Sequence, residues 1–276
     1  MTDTYAVIGN PITHSKSPLI HAEFSKQTGQ DICYKTILAP LNGFVTATEV
    51  FRQNGGKGMN VTVPFKVEAY KISNQLTEQA IAAQAVNTLV FDNDKIYGDN
   101  TDGTGLIRDI VDNLGFAITA KRVLLCGAGG AARGIMLPLL KQEPRMLVIS
   151  NRTVQKAHGL RQQFSSYKNI VSSNYAEISG KEFDLIINAT SASLIGKALS
   201  LPLGIFSTES LAYDIMYGNR NTPFLQFARQ EGATHLSDGI GMLVEQAAES
   251  FFIWRGVRPK TKPLIEMLSQ KIKHIE

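Results

Sequence analysis

The sequence predicts an α/β fold with a doubly wound parallel sheet, and three observations support this class. Short apolar runs of strand composition alternate with stretches of helical spacing along most of the 276 residues. One run, residues 122–126, stops at a glycine cluster and is followed at once by a helical stretch, residues 131–141. The chain is also longer than a common single domain, so two domains are expected.

Composition excludes several classes of protein. Hydrophobic residues make up 43% of the chain and charged residues 19%, as in ordinary globular proteins. The net charge of +4 is dispersed, and no Lys/Arg block suggests a nucleic-acid partner. No apolar run approaches about 18 residues, and the first residues lack a signal sequence, so a cytoplasmic protein without a membrane partner is expected. Cys33 and Cys126 are expected to be buried thiols, and neither a metal site nor a disulfide framework is predicted.

The predicted elements follow one another in regular alternation. Strands are predicted at residues 5–8, 33–38, 58–63, 86–91, 95–97, 122–126, 146–150, 183–188, 211–216 and 233–237. Helices are predicted at residues 18–28, 44–53, 77–83, 103–114, 131–141, 224–230, 244–255 and 263–274, with two more, one beginning at residue 65 and one that contains Lys156 in its first turn. The strand exits at Gly127, Ser150, Ala189 and Tyr217 should share the carboxyl edge of one parallel sheet, where ligands bind in such folds.

Four polar residues lie at predicted helix starts. Ser17 is placed to cap the helix that Pro18 opens, whereas Ser15 is free to bind a polyhydroxylated ligand. Lys66 falls in a first helical turn, where the helix dipole opposes a cation, so stability alone does not explain it unless the side chain extends into solvent. Asp102 is either an N-cap or a functional carboxylate.

The glycine cluster after the strand at 122–126 predicts a dinucleotide site. Gly127, Gly129 and Ala132 fit the G-x-G-x-x-G/A fingerprint, in which the first glycine allows the turn and the second lets a pyrophosphate approach the backbone. Backbone N–H groups and the positive end of the helix would then meet the phosphates. A plain glycine-rich turn is the alternative.

The residues after the next strand select the cofactor. An NAD site normally has an acidic residue about 20 positions past the glycines. Here Asn151, Arg152 and Thr153 follow the strand, with Lys156 one turn into the next helix. A guanidinium offers forked donors to a phosphate, so these residues favour the 2′-phosphate of NADP. A solvated, basic helix start is the alternative interpretation.

Nine segments resemble those of the shikimate dehydrogenase family, in the family's order. They are GNPITHSKSPLIH, MNVTVPFK, AVNTL, DNTDGTG, CGAGGAARG, SNRT, NATSA, DIMYGNRNTPF and DGIGMLVEQAAESF. The resemblance implies a Rossmann-type NADP domain, residues 102–237, inserted into a discontinuous substrate domain of residues 1–101 and 238–276. It also implies reversible reduction of 3-dehydroshikimate to shikimate by NADPH, a step toward the aromatic amino acids.

The resemblance also implies the roles of individual residues. Lys66 would be the catalytic base and Asp102 its partner. The substrate contacts would be Ser15, Ser17, Thr62, Asn87, Asp102, Tyr217 and Gln246. The cofactor contacts would be Gly127, Ala128, Gly129, Gly130, Ala131, Asn151, Arg152, Thr153, Lys156, Ile215 and Gly239, with Glu78 a weaker candidate near the catalytic lysine.

This chemistry suits the residues. Oxidising an alcohol by hydride transfer requires a base within hydrogen-bond reach of the hydroxyl. Burial and a helix start lower a lysine pKa and a carboxylate raises it, so Lys66 is either a neutral base or an ammonium that relays a proton. Two rival functions stay open: a quinate/shikimate dehydrogenase with relaxed cofactor use, and a non-catalytic NADP-binding sensor. A monomer and a homodimer are both compatible with the sequence.

Overall fold

The structure is a computed structural model that describes residues 2–218 and 220–273. Its strands are β1 (Asp3–Gly9), β2 (Ile32–Leu38), β3 (Gly56–Val61), β4 (Gln75–Leu76), β5 (Thr88–Asp92), β6 (Lys95–Asp99), β7 (Arg122–Cys126), β8 (Met146–Ser150), β9 (Ile170–Ser173), β10 (Phe183–Asn188), β11 (Phe206–Asp214) and β12 (His235–Ser237). Its α-helices are α1 (Ser17–Thr28), α2 (Phe44–Gln53), α3 (Lys66–Ile72), α4 (Glu78–Ala83), α5 (Asp102–Arg108), α6 (Gly130–Leu140), α7 (Val154–Gln163), α8 (Pro223–Gln230), α9 (Ile240–Arg255) and α10 (Lys262–Lys273). The predicted end of the last helix, His274, lies outside the described residues.

The chain divides into two compact units. The first contains the residues up to Gly105 together with Val244–Leu264, and the second contains Leu106–Leu243 and the described residues from 265 onward. Each unit is built on its own six-stranded sheet.

The sheet of the first unit is mixed. Its strand order is β2-β1-β3-β5-β6-β4. β1 pairs in parallel with β2 and β3, whereas β5 pairs antiparallel with β3 and β6. Because β1 and β3 are parallel neighbours, the loops that follow them leave the sheet at the same edge, and Asn10 N donates to Val63 O at 3.0 Å. The loop with Ser15 and the loop before Lys66 are therefore adjacent.

The sheet of the second unit is parallel throughout, in the order β12-β11-β10-β7-β8-β9. Counted from β7, this is the strand order of a doubly wound dinucleotide-binding domain. β7, β8, β10 and β11 belong to this one sheet, so their exits share one carboxyl edge as predicted. The order changes direction at β7, where β8 lies on one side and β10 on the other, and this is the position at which such sheets bind ligands.

Each sheet is covered by its own apolar core. In the first unit, Ile8, Phe44, Met59, Phe65 and Leu89 are all fully buried in one cluster. In the second, buried strand residues pack with helix α8; the cluster includes Leu124, Val148, Phe183, Ile186 and Phe224. In the second sheet, β7, β8 and β10 are buried along nearly their whole length, as expected for a parallel sheet with both faces covered.

Several local predictions were wrong. α1 begins at Ser17 rather than Pro18, and no side chain caps it, so Ser17 is not the predicted cap. The helix predicted at 103–114 is α5 followed by a π-helical turn, Asp109–Asn113. The predicted strand at 211–216 is instead the longer β11, which begins five residues earlier and ends at Asp214. Cys33 is only half-buried because β2 is an edge strand, whereas Cys126 is buried.

One strand of the second sheet was missed altogether. β9 has the sequence IVSS, and only two of its four residues are buried. A run this short and this polar has no clear periodicity of its own. Its pairing with β8 determines its conformation.

Candidate active site

Lys66 and Asp102 meet in the first unit, although 36 residues separate them in the chain. Lys66 is the first residue of α3, and Asp102 is the first residue of α5. The Lys66 Nζ atom donates to the Asp102 Oδ2 atom at 2.5 Å, and the two side chains are 29% and 13% exposed. The dipole of α5 favours the carboxylate, whereas the dipole of α3 opposes the ammonium. The position of the Lys66 side chain is therefore stabilised by Asp102 rather than by its own helix. Its partial exposure leaves it accessible to a ligand.

The second oxygen of Asp102 is held by Asn87. The Asn87 Nδ2 atom donates to the Asp102 Oδ1 atom at 2.8 Å and lies 3.3 Å from the Gln246 Oε1 atom. Asn87 is 2% exposed, whereas Gln246 is half-buried. Asn87, which immediately precedes β5, and residues from α3, α5 and α9 thus form one polar cluster in the first unit. Asp102 is the first residue of α5 and therefore not its N-cap, and the Asn100 Oδ1 atom accepts from the Asp102 backbone N–H at 3.2 Å.

The remaining predicted substrate residues of the first unit lie in the loops after β1 and β3. Ser15 is half-buried, and its Oγ atom accepts from the Ser17 N–H at 3.3 Å. Ser17 is buried, with 9% exposure. Thr62 follows β3 directly, is half-buried, and lies four residues before Lys66. The structure places the two loops side by side, and hydroxyl groups are therefore available along this edge of the sheet.

The glycine turn after β7 has the geometry that its sequence predicts. Gly127 has φ of +115°, and a Cβ atom there would lie 2.9 Å from the Ala189 carbonyl oxygen, so only glycine fits without strain. Gly129 is the N-cap of α6, which begins at Gly130, and both glycines are exposed. Among the described residues, apart from the adjacent residues and the helix's own backbone, no atom lies within 4 Å of a Cβ added to either one. Ala128 is buried and Ala131 is half-buried. The backbone beside the positive end of α6 is therefore open to an anionic ligand.

A basic segment without carboxylates follows β8. Arg152, Thr153 and Lys156 are exposed, and Asn151 is half-buried. The Asn151 Nδ2 atom donates to the Thr153 carbonyl at 2.9 Å, which shapes the turn into α7. Thr153 is the N-cap residue of α7, but its side chain makes no capping hydrogen bond. Two cationic side chains and a free hydroxyl therefore face solvent at one strand exit.

Ile215 and Gly239 lie together in the second unit. A Cβ atom on Gly239 would fall 2.0 Å from the Ile215 carbonyl oxygen, so any larger residue must displace the backbone. Tyr217 is half-buried, and burial together with the charge of Asp238 raises the pKa of its hydroxyl. Glu78, the weaker candidate, is the exposed first residue of α4 in the first unit.

Sequence reasoning missed a buried carboxylate that organises the second unit. Asp214 is fully buried at the end of β11. Its oxygens accept from the Asn188 Nδ2 atom at 3.1 Å, the Met216 N–H at 3.0 Å, the Ser193 Oγ atom at 2.7 Å and the Thr222 Oγ1 atom at 2.6 Å. Asp214 thereby fixes the exits of β10 and β11 and the start of α8. The DIMY segment placed it beside Ile215, but only the pairing of β10 with β11 shows the shared donors.

Within residues 2–218 and 220–273, no group of three or more His, Cys, Asp or Glu side chains is arranged to hold a metal ion. Among the helices described there, none combines the length and the apolar character needed to cross a membrane.

Three family models match successive parts of the chain. The shikimate dehydrogenase substrate binding domain matches residues 7–89, the shikimate/quinate 5-dehydrogenase model matches residues 109–196, and the shikimate 5'-dehydrogenase C-terminal domain matches residues 239–266.

Curated relatives match over nearly their full length. A protein of Nitrosospira multiformis named shikimate dehydrogenase (NADP(+)) is 63% identical over 272 residues, which is 99% of each chain. A protein of the same name from Dechloromonas aromatica is 56% identical over 272 residues, 99% of each chain.

Solved structures of similar proteins have the same fold. An Ael1 enzyme from Pseudomonas putida is 47% identical with a TM-score of 0.94, and the match covers 97% of this chain and 98% of that one. Shikimate 5-dehydrogenase from Thermus thermophilus, in complex with NADP(H) and shikimate, is 27% identical with a TM-score of 0.87, covering 98% of this chain and 100% of that one.

Proposed function

Because the chain belongs to the shikimate dehydrogenase family, we propose that it catalyses the reversible, NADPH-dependent reduction of 3-dehydroshikimate to shikimate. The observation that carries the proposal is the hydrogen-bonded pair of Lys66 and Asp102, with Asn87 on the second carboxylate oxygen. A binding protein has no need of such a proton-transfer pair.

The pair accounts for the proton of the reaction. When shikimate is oxidised, the carbinol carbon loses a hydride to the nicotinamide, and the hydroxyl loses a proton to a base. Lys66 takes that proton, and Asp102 holds its amine in place and shares the positive charge that develops. In the reducing direction the same amine returns the proton to the new hydroxyl. NADP supplies the hydride chemistry, and this chain supplies orientation and proton transfer.

The other residues keep their predicted roles within this proposal. Ser15, Ser17, Thr62, Asn87, Tyr217 and Gln246 bind the substrate together with Asp102. The glycine turn, Gly127 to Ala131, receives the pyrophosphate, and Ile215, Gly239 and Glu78 contribute further cofactor contacts. Asn151, Arg152, Thr153 and Lys156 bind the 2′-phosphate. The exposure of Arg152 and Lys156 supports this assignment, because both side chains are available to a ligand.

The same assignment extends to organisation and location. We retain residues 1–101 and 238–276 as the substrate domain and residues 102–237 as the NADP domain. We place the enzyme in the cytoplasm, where its two cysteines, which are free thiols, would remain reduced. A monomer and a homodimer are the two candidate assemblies, and light scattering of the purified chain distinguishes them.

The purified chain should be assayed with shikimate and with quinate, each with NADP and with NAD, by following the absorbance of the reduced cofactor. We expect the shikimate and NADP pair to give the highest kcat/KM. Comparable turnover of quinate, or a preference for NAD, would favour a quinate/shikimate dehydrogenase. NADP binding without turnover of either acid would favour the sensor.

A further inference from the structure

A buried polar layer lies beneath the catalytic cluster of the first unit. It consists of Asn60 on β3, Thr88 on β5, Thr101 before α5 and Ser250 on α9, and this set is called the amide support below. Asn60 is 7% exposed, Thr101 1%, and Thr88 and Ser250 are fully buried. Buried hydroxyl and amide groups cost free energy unless they are hydrogen-bonded, so their partners identify what they hold.

The orientation of the Asn87 side-chain amide is fixed by a backbone N–H group, which can donate a hydrogen bond but cannot accept one. The Thr101 backbone N–H can only donate, and it lies 2.9 Å from the Asn87 Oδ1 atom. The Asn87 Nδ2 atom must therefore point the other way, toward the Asp102 Oδ1 atom at 2.8 Å and the Thr101 Oγ1 atom at 2.9 Å. The amide presents a donor, not an acceptor, to the carboxylate.

The hydroxyl groups of the amide support form a series of hydrogen bonds that ends at the Asn87 Oδ1 atom. The Asn60 Nδ2 atom can only donate and lies 3.0 Å from the Ser250 Oγ atom. The Ser250 and Thr88 hydroxyl oxygens are 2.8 Å apart, and the Thr88 Oγ1 atom is 2.9 Å from the Asn87 Oδ1 atom. Thr88 donates to Asn87, and its oxygen accepts from the Asn60 Nδ2 atom at 3.3 Å and from the Ser250 hydroxyl, which also reaches the Gln246 carbonyl oxygen at 3.0 Å.

A further donor fixes the orientation of the Asn60 amide, where this series of hydrogen bonds begins. The Tyr34 hydroxyl donates to the Asn60 Oδ1 atom at 2.7 Å, so the Asn60 Nδ2 atom faces Ser250. Hydrogen bonds in such a series polarise one another. A donor to the Asn87 Oδ1 atom therefore strengthens the hydrogen bond from the Asn87 Nδ2 atom to Asp102.

We propose that Thr88 is a positioning residue for the proton-transfer pair: its hydroxyl transmits the hydrogen bonds of Asn60 and Ser250 to the Asn87 amide, which orients the Asp102 carboxylate toward Lys66. The proposal rests on the proposed function, since it assigns the pair a role in turnover. Thr88 itself is fully buried on β5, so it acts through Asn87 rather than on the substrate directly.

The chain offers a matched pair of substitutions at this position. Thr88→Val keeps the branched shape and removes the hydroxyl, whereas Thr88→Ser keeps the hydroxyl and removes a methyl group. We expect Thr88→Val to lower kcat for shikimate roughly fivefold to tenfold, the scale of one lost hydrogen bond, and to leave KM for NADP unchanged. Thr88→Ser should retain a kcat close to that of the unmodified chain.

Ser210→Ala serves as a control for loss of a buried hydroxyl. Ser210 is fully buried in the second unit, and its Oγ atom has no hydrogen-bond partner in the described part of the chain. Its kcat should match that of the unmodified chain, and thermal unfolding of all variants measures any general loss of stability. The unmodified chain is assayed alongside, so a failure of the proposed function appears as a lack of turnover in the unmodified chain itself, whatever the variants do.

Two results would overturn the proposal. One is a Thr88→Val variant that loses thermal stability but keeps the unmodified kcat, which would make the hydroxyl purely structural. The other is a Thr88→Ser variant that loses as much kcat as Thr88→Val, which would show that methyl packing matters and the hydroxyl does not.

Discussion

Asp102 receives a different kind of donor on each of its two oxygens. The Lys66 Nζ atom donates to one oxygen, and the Asn87 Nδ2 atom donates to the other. A charge-assisted bond to lysine changes when the proton moves, whereas the amide bond does not. In the proposed mechanism, the Asp102 carboxylate therefore stabilises the positive charge that develops on Lys66, while Asn87 keeps the carboxylate in its orientation.

We expect the preference for NADP over NAD to depend on a single side chain, that of Arg152. Arg152→Ala should weaken NADPH binding roughly tenfold to a hundredfold, since it removes charge-assisted hydrogen bonds to a phosphate that NADH lacks. NADH binding should change little. Titration of cofactor fluorescence measures both affinities. Arg145, exposed just before β8 begins, offers a matched control: Arg145→Ala should leave both affinities unchanged. Equal losses for both cofactors on Arg152→Ala would remove the assignment.

Residues differ in how far the sequence alone could identify them. Lys66 and Asp102 stand at helix starts, where local structure gave only a partial reason for them, and the family resemblance supplied the roles. Thr88 could not be singled out, because a threonine in an apolar strand is ordinary. Its importance depends on Ser250, which is 162 positions away in the chain. The helical pattern places Ser250 one turn after Gln246, on the same face of the helix, and this spacing was the one sequence signal that linked Ser250 to the site.

At the scale of elements, the turn between β7 and α6 contains one glycine that folding requires and one that only ligand binding would require. Gly127 has a positive φ and contacts the backbone at Ala189, whereas Gly129 has neither constraint. The first glycine is required by the fold, and the second is required only if a ligand approaches the backbone.

Two alanine substitutions test this separation. Gly127→Ala should lower the free energy of unfolding of the free protein by about 1–3 kcal/mol, because it forces a side chain into a disfavoured conformation. Gly129→Ala should leave the unfolding midpoint close to that of the unmodified chain, yet weaken NADPH binding at least severalfold. Thermal unfolding without cofactor and equilibrium binding distinguish the two effects. A Gly129→Ala variant with normal NADPH affinity would contradict the assignment of the pyrophosphate site.

Elements were predictable where composition and spacing agreed. β7, β8, β10 and α2 have the predicted bounds, since their apolar runs end at glycine or polar residues. β9 was missed because its conformation depends on β8. The π-helical turn Asp109–Asn113 was likewise invisible: Asp109 is 2% exposed, and the Tyr213 hydroxyl donates to its Oδ2 atom at 2.7 Å. That tertiary bond joins residues 104 positions apart.

At the scale of the whole molecule, stability should depend on pH through a buried histidine. His21 is fully buried on α1 and stacks on Tyr34 with 4.1 Å between ring centroids. Burial lowers its pKa to about 3, and the nearby Asn60 side chain offsets only part of this effect. The unfolded chain has the ordinary pKa near 6.5, so it binds the proton that the folded chain excludes.

This difference fixes the sign of the effect. The stabilising contribution of neutral His21 is complete above about pH 6.5 and declines as the pH falls toward 3. Between pH 7 and pH 5 the loss should be about 2 kcal/mol. The single tryptophan, Trp254, has its ring centroid 5.4 Å from that of His21, so its fluorescence reports unfolding of this region. Denaturant titrations of the unmodified chain and of His21→Phe should show a shallower pH dependence for the variant, and parallel curves would contradict the account.

The division of the molecule was only partly accessible from the sequence. The glycine fingerprint and the strand exits predict the parallel sheet of the second unit, because each is a local pattern. The first unit also includes Val244–Leu264, from far along the chain, and no periodicity links that segment to β5 or α3. The family resemblance predicted such a return, and the hydrogen bonds of Gln246 and Ser250 give its physical basis in the first unit.

The proton-transfer role of Lys66 is tested most directly by the steady-state kinetics of Lys66→Ala with shikimate and NADP. In the proposed mechanism the amine acts on the reacting hydroxyl in the transition state, so its removal should lower kcat by roughly a hundredfold or more. KM for shikimate should rise far less, since the other substrate contacts remain. A variant that retains near-normal kcat would contradict the assignment of Lys66 as the base.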